Sequence, residues 1–375
     1  MTPRARGRRQ FRVGAPDAGL GRWLPFAATR ARRAERRSRL TLAQRRRIRR
    51  RESTARWGSV LLVALVATVW FAPPTHAILA PPALSRPPVA PQIPDTHTRP
   101  SVHYTLRNGS LWTYQNLRVT SARGAPTVRA RAAFLLDPQT GALYYQKNAN
   151  VAYPVAGLAK IMTLLLAMDA PSLDQPVTIG SDAAAFANSQ NSAMGLRAGE
   201  QVPLRELLYG LVVSGGNDAA WAIADSVGGD EPTFVTLMNT QAAQLGLWRT
   251  RFTSPAGANP GDVSSAGDMA RLAALAMARP GVQSFTSIRS VAFAKTATHG
   301  AYRLVSDNNL LPSGNSPYPG AVGVRTGYTD SAGYCLAFAA RNNGHLLVGV
   351  VLGDPTDQAR LADAFALLNW AFAQE

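Results

Sequence analysis

The sequence predicts an α+β fold, in which an antiparallel β-sheet packs against a cluster of helices. Strand-like segments stand at both ends of the region 127–375 and enclose a mainly helical middle. Within that middle, residues 158–170 are apolar on nearly every side, which indicates a helix buried at the centre of a domain rather than on its surface. A core of this size needs no disulfide, and the single cysteine, Cys335, allows none within the chain.

The individual elements follow from local patterns. Two strands are predicted around residues 129–137 and 142–148, with Gly141 in the turn that joins them. The helical middle continues after the buried helix, and the chain then returns to strands before a last helix. The further helices are predicted at 203–213, 217–228, 231–247, 265–278 and 356–373, and the further strands at 320–329, 332–341 and 345–353.

The N-terminal region carries most of the charge. Residues 1–57 contain 19 arginines and three acidic residues, whereas the chain as a whole has a formal charge of +18. An apolar run, 58–72, follows this tail and predicts a single-pass membrane anchor. Basic residues on its N-terminal side favour a cytoplasmic tail and an extracytoplasmic body at the cell membrane. Cleavage after Thr75-His76-Ala77, as in a signal peptide, is the alternative.

The basic tail and the segment after the anchor are not predicted to form a core. The tail is typical of a solvated segment near anionic lipid head groups. Nucleic-acid binding is an alternative supported by charge alone, so no nucleic-acid partner is expected. Nine prolines between Pro73 and Pro100 indicate a stiff spacer, and the region 73–126 ends with short strand-like pieces around Asn108-Gly109. The body is therefore predicted to span 127–375.

Three segments of the body resemble the sequence elements of one enzyme family. They are YPVAGLAKIMT at 153–163, LLYGLVVSGGNDAA at 207–220 and GVRTGYT at 323–329. Penicillin-recognising enzymes carry Ser-x-x-Lys, Ser-x-Asn and Lys-Thr-Gly in that order. The chain thus resembles the serine-type D-alanyl-D-alanine carboxypeptidases, which are low-molecular-mass penicillin-binding proteins. The resemblance covers about two thirds of the chain and implies a β-lactamase/transpeptidase-like fold.

The departures from the family pattern concern the reacting groups. Gly157 stands at the position of the nucleophilic serine, three residues before Lys160. Gly215 stands at the serine of the second element, whose Asn217 is kept. Arg325 replaces the lysine of the third element, a mild change because arginine also binds carboxylates. The sequence therefore predicts a cleft that has lost acyl-enzyme chemistry.

Two roles stay open for the remaining polar residues of these elements. Lys160 is either a retained base or a leftover charge in a partly closed cleft. Asn217 and Asp218 are either substrate contacts or the N-terminal cap of the following helix. Ser214 lies next to the lost serine, but a shift of one residue is expected to point its hydroxyl elsewhere.

The resemblance implies a function in peptidoglycan metabolism. We expect a catalytically inactive binding or regulatory protein whose cleft holds the D-Ala-D-Ala ends of stem peptides through Arg325, Thr326, Gly327 and Asn217. The alternatives are an active serine carboxypeptidase with a substitute nucleophile and a purely structural scaffold with a collapsed cleft. No metal and no cofactor are expected, and the protein partners are not predicted.

The cysteine, the two histidines of the body and three tryptophans are predicted to have structural roles. Cys335 lies in an apolar, strand-like stretch and is expected to be buried. The two histidines of the body lack the spacing of metal ligands and are expected in loops, and three tryptophans are expected to pack in the core. These residues are His299, His345, Trp221, Trp248 and Trp370.

Overall fold

The architecture is a mixed α/β fold built on one antiparallel sheet, as predicted. The computed structural model describes residues 118–119, 124–188 and 192–374. Its six-stranded sheet has the order β1-β3-β2-β12-β11-β10, and only the β1–β3 pair is parallel. The strands are β1 (Arg118–Val119), β2 (Ala132–Leu136), β3 (Ala142–Lys147), β10 (Ala321–Thr329), β11 (Gly333–Asn342) and β12 (His345–Asp354).

The sheet is buried on both faces because alternate residues of its central strands enter two different cores. In β2, Phe134 and Leu136 join the larger core, whereas Ala133 and Leu135 join the smaller one. The burial of apolar side chains on both faces is the main stabilising contribution of such a sheet. Cys335 of β11 is fully buried, which confirms its predicted structural place.

Helices cover the two faces and supply the central scaffold. The larger core lies beneath α1 (Lys160–Ala167), α3 (Leu204–Val212), α4 (Asn217–Gly228), α5 (Glu231–Gln244) and α6 (Ala266–Ala278). The C-terminal helix α8 (Asp357–Phe372) closes the smaller core on the other face. Seven of the eight residues of α1 are buried, which confirms the central helix that its apolar sequence predicted.

Short elements complete the described region. A 3-10 turn, Ala156–Ala159, leads directly into α1, and a second one, Phe186–Asn188, follows α2 (Ser181–Ala185). The remaining short helix is α7 (Gln283–Thr286). Three two-stranded ribbons pair β4 (Tyr153–Pro154) with β7 (Val263–Ser264), β5 (Pro176–Thr178) with β6 (Gln201–Pro203), and β8 (Ser290–Phe293) with β9 (Tyr302–Val305).

Two predictions about single residues are wrong. Trp248 is 78% exposed, because α5 ends at Gln244 and leaves this residue in the turn that follows. His345 is the first residue of β12 rather than a loop residue. Trp221 is buried as expected and stacks on Phe186 with ring centroids 4.0 Å apart.

The N-terminal predictions fall on residues that the structure does not describe. The tail (1–57), the apolar segment (58–72) and nearly all of the spacer region (73–126), including Asn108-Gly109, lie outside the described ranges. In the part that is described, no helix has the length and apolar character needed to span a bilayer.

Candidate functional site

The position of the lost nucleophile lies against the edge strand of the sheet. Gly157 belongs to the 3-10 turn that precedes α1, and the backbone before it is strained, since Ala156 has a φ of 48°. A Cβ atom added at Gly157 would lie 3.0 Å from the backbone oxygen of Thr326 and 3.5 Å from the Cα of Gly327. The first and third sequence elements therefore meet at the start of the buried helix.

Lys160 lies one turn after Gly157 and is only 3% exposed. Its Nζ donates hydrogen bonds to Oδ1 of Asn217 at 2.8 Å and to the backbone oxygen of Ala256 at 2.7 Å. Both acceptors are amide oxygens, and neither is a hydroxyl that the amine could activate. The contact with Asn217 joins the second sequence element to the first.

The electrostatic surroundings of Lys160 favour its neutral form. Burial, followed by the positive charge of Arg325, lowers the pKa of Lys160 from 10.5 to about 7. Three carboxylates act in the opposite direction: Asp307, Asp262 and Asp218. An amine with this pKa is partly neutral near neutral pH, and its two hydrogen-bond acceptors belong to Asn217 and Ala256.

A loop that the sequence did not single out holds the second acceptor of Lys160. The buried carboxylate of Asp262 accepts hydrogen bonds from the backbone N–H of Thr253 at 2.6 Å and of Ser254 at 3.0 Å. Its other oxygen accepts from the Ser254 hydroxyl at 2.7 Å. These bonds fix the turn that presents the Ala256 carbonyl. An aspartate directly after the Gly- and Pro-rich stretch 255–261 was the only sequence feature that pointed to this turn.

Arg325 points into the protein rather than into solvent. Its side chain is 5% exposed, and Nη1 donates to the backbone oxygen of Val212 at 3.1 Å and to Oδ1 of Asp307 at 3.0 Å. Burial opposes ionisation of Asp307, but the charge of Arg325 lowers the pKa of that carboxylate on balance. The predicted carboxylate-binding role of Arg325 stays a prediction, and its Nη1 is engaged within the protein.

The glycine at the second lost serine touches this arginine. Gly215 has a φ of 68°, in the left-handed region that glycine adopts without a Cβ penalty. A Cβ atom added there would lie 2.0 Å from Nη2 of Arg325. The neighbouring Ser214 hydroxyl donates to the backbone oxygen of Gly210 at 2.9 Å, so it binds its own helix and does not replace the lost group.

The capping alternative is wrong for Asn217 and holds only in part for Asp218. Helix α4 begins at Asn217 with Gly216 as its cap residue, and the Ala219 N–H of its first turn donates to Oδ1 of Asp218 at 2.8 Å. Asp218 is fully buried and accepts hydrogen bonds from the backbone N–H groups of residues 194–196 at 2.8–3.1 Å. It therefore orders the loop before α3, while Asn217 faces Lys160.

His299 packs against neighbouring side chains in the interior of the protein. His299 lies in the loop between β8 and β9, as predicted, but is buried, and its ring stacks on Tyr302. Its Nε2 lies 3.7 Å from the carboxylate of Glu206. Among the described residues, no group of three or more metal-ligating side chains is placed to hold an ion.

The predicted site positions thus converge on one region between the start of α1, the start of α4 and the edge strand β10. This region brings together a buried lysine, an asparagine on a neighbouring helix and a Thr-Gly edge strand on an α+β scaffold. The sequence profile of the family described as D-alanyl-D-alanine carboxypeptidase matches residues 119–356. The chain belongs to this D-alanyl-D-alanine carboxypeptidase family.

Individual relatives agree with that assignment. The chain is 35% identical over 251 residues to D-alanyl-D-alanine carboxypeptidase DacF of Bacillus subtilis, which covers 65% of this chain. It is 36% identical over 257 residues to DacC of Escherichia coli, which covers 66% of this chain. The chain spans 62% of the length of each of these two relatives.

Solved structures show the same fold. The crystal structure of a Streptomyces DD-transpeptidase has a TM-score of 0.62 and 32% identity, covering 66% of this chain and 99% of its own. A D-alanyl-D-alanine carboxypeptidase from Mycobacterium tuberculosis has a TM-score of 0.61 and 28% identity, covering 68% of this chain and 96% of its own. The antiparallel sheet and its helical cluster are therefore those of the transpeptidase-like fold.

Proposed function

We propose that this protein is a catalytically silent member of its family, which binds D-Ala-D-Ala-terminated peptidoglycan stem peptides outside the cytoplasmic membrane. The observation that carries the proposal is Gly157 at the helix start that faces the edge strand, where the chemistry needs a hydroxyl. Gly215, at the second lost serine, supports it.

The absence of the hydroxyl is expected to have a large effect on turnover. Removing the nucleophile of a serine hydrolase lowers turnover by about 10⁶-fold. Lys160 keeps a pKa of about 7, but its hydrogen bonds go to Asn217 and to the Ala256 carbonyl. A base without a hydroxyl to deprotonate does not form an acyl-enzyme, so the active carboxypeptidase alternative lacks a nucleophile.

The edge strand supports retention of binding. β10 is the last strand of the sheet, and its partner β11 lies on one side only. An edge strand that is open to solvent binds extended peptides through backbone hydrogen bonds, and in β10 residues 323–327 are buried while Tyr328 is exposed. The names of the relatives identify their substrates as peptides that end in D-alanyl-D-alanine, which is the ligand class proposed here.

One observation favours the scaffold alternative, a cleft that has closed. Thr326 is fully buried, and the turn at Gly157 packs directly on β10. The two functions differ in a measurable way. A ligand that binds only the native state raises the melting temperature as its concentration rises, which the binding function predicts and the scaffold function does not.

A paired experiment tests the proposal. Incubation with a labelled penicillin, followed by intact-mass analysis, should give no covalent adduct; an adduct would refute catalytic silence. A peptide ending in D-Ala-D-Ala should raise the melting temperature, by about 5–10 °C at a hundredfold excess over its dissociation constant. The same peptide with a C-terminal amide is the control. No shift with either peptide would support the scaffold instead.

The proposed location has its own test. The N-terminal apolar run 58–72 and the arginines before it support attachment to the cell membrane with the body outside. Membrane fractionation of the full chain should recover it in the washed membrane pellet at full mass. A soluble species whose mass corresponds to a chain that starts after Ala77 would indicate a cleaved signal peptide instead.

A further inference from the structure

We infer that Arg325 is a steric lock whose guanidinium fills the space that a side chain at position 215 would need. The inference concerns the same cleft as the proposed function, but its test measures stability and not ligand binding. A failure of either idea is therefore distinguishable from a failure of the other.

The lock rests on a steric overlap. A Cβ atom at position 215 would lie 2.0 Å from Nη2 and 2.9 Å from Cζ of Arg325. Both separations are far below the van der Waals contact distance of about 3.5–4.0 Å for carbon atoms. Position 215 therefore accepts no side chain, not even a methyl group, while the guanidinium keeps its place.

The guanidinium is also held in that place. It is 5% exposed, and the same Nη1 donates to the Val212 carbonyl and to the Asp307 carboxylate. Moving Arg325 aside would break both contacts and leave the buried Val212 carbonyl without this donor. The overlapping atoms are the far end of a side chain, so relief of the overlap requires the guanidinium to give up these two contacts.

The two glycines of the cleft differ in this respect. At Gly157 the nearest atom to an added Cβ is 3.0 Å away, and φ there is not in the left-handed region. The neighbour at Gly157 is the backbone of β10, so a side chain there requires a backbone shift of a few tenths of an ångström. The overlap at position 215 is larger, and it lies with the guanidinium of Arg325.

A double-mutant cycle in melting temperature tests the lock. Its variants are Gly215→Ser, Arg325→Ala and the two together. Gly229→Ser is the matched control, because Gly229 has a φ of 89° with no atom within 4 Å of an added Cβ. The melting temperature of this variant measures the conformational cost of a non-glycine residue at a positive φ, because the new side chain overlaps no other atom.

We expect Gly215→Ser to lower the melting temperature at least twice as much as Gly229→Ser. In the Arg325→Ala background the further loss caused by Gly215→Ser should fall to that of the control. If Gly215→Ser alone yields no folded protein, recovery of the folded double variant supports the lock equally. Equal losses in both backgrounds, or a double variant that fails to fold while Arg325→Ala folds, would overturn it.

Discussion

Lys160 should titrate near neutral pH, and this is the sharpest prediction that the structure allows. Burial and the nearby charge of Arg325 lower its pKa from 10.5 to about 7. The corresponding free energy is about 5 kcal/mol at about 1.4 kcal/mol per pKa unit. The amine is fully enclosed, so solvent screening does not reduce this figure in the way that it does for a surface group.

The sign of the effect on stability follows from proton counting. Between pH 7 and 10.5 the unfolded chain holds a proton on Lys160 that the native state lacks. The free energy of unfolding therefore rises with pH across this window, by up to about 5 kcal/mol from this group. Below pH 7 both states are protonated, and the contribution no longer changes.

The composition of the chain makes a direct assay practical. Only three lysines are present, Lys147, Lys160 and Lys295, so selective ¹³C labelling of lysine gives three side-chain signals. The signal that is absent from Lys160→Met belongs to Lys160. Its chemical shift should change with a midpoint near pH 7.

Unfolding by urea at pH 7 and pH 9.5 gives an independent measure. Lys160→Met should show a smaller rise in stability between these values than the parent protein. Lys295→Met is the matched control, because Lys295 is exposed on the surface. A Lys160 signal with a midpoint above pH 10, or equal pH slopes in Lys160→Met and the parent, would refute the electrostatic account of the cleft.

Three further predictions concern other parts of the fold. Burial and the neighbouring Asp363 raise the pKa of Asp354 to about 8, so stability contributed by its neutral form is lost as pH rises from about 4 to 8. In Asp354→Asn the free energy of unfolding, measured with urea, should fall less between pH 5 and pH 8.5 than in the parent protein. An equal fall in both proteins would contradict the prediction. Asp218→Asn should cost about 2–4 kcal/mol, because its carboxylate accepts four backbone N–H groups, and faster hydrogen exchange at residues 194–196 should accompany the loss. Gly157→Ser should cost about 1–3 kcal/mol in the same unfolding assay, because an added Cβ lies 3.0 Å from the Thr326 backbone oxygen, and an unchanged stability would contradict this packing argument.

The sequence predicted those parts of the site that depend on local spacing. Lys160 follows position 157 by three residues, and this spacing places both on one side of a helical turn wherever the helix lies. The strand that contains Thr326 and Gly327 was recognisable from its own residues. The alternation of β2 and β12 residues between the two cores likewise follows from the period of a strand. Local rules of this kind do not depend on the path of the rest of the chain.

The parts that were missed depend on residues distant in the chain. The Ala256 carbonyl reaches Lys160 because Asp262 shapes a turn about 100 residues further along the chain. Asp307 pairs with Arg325 from another loop. The Asp218 carboxylate, for which capping was one alternative, binds the distant loop at 194–196 as well as the Ala219 N–H of its own helix. None of these contacts has a periodicity or a motif that would reveal it in advance.

The direction of the Arg325 side chain changes the interpretation of the departures from the family pattern. Taken from the sequence, arginine for lysine is a mild change and glycine for serine a separate loss. In the structure the two positions share one space, since an added Cβ at Gly215 and the guanidinium would overlap at 2.0 Å. A larger side chain at 325 therefore requires the smallest residue at 215, and a serine at 215 requires the guanidinium to leave. The proposed lock thus treats Gly215 and Arg325 as one coupled pair, and Gly157 as a separate departure from the family pattern.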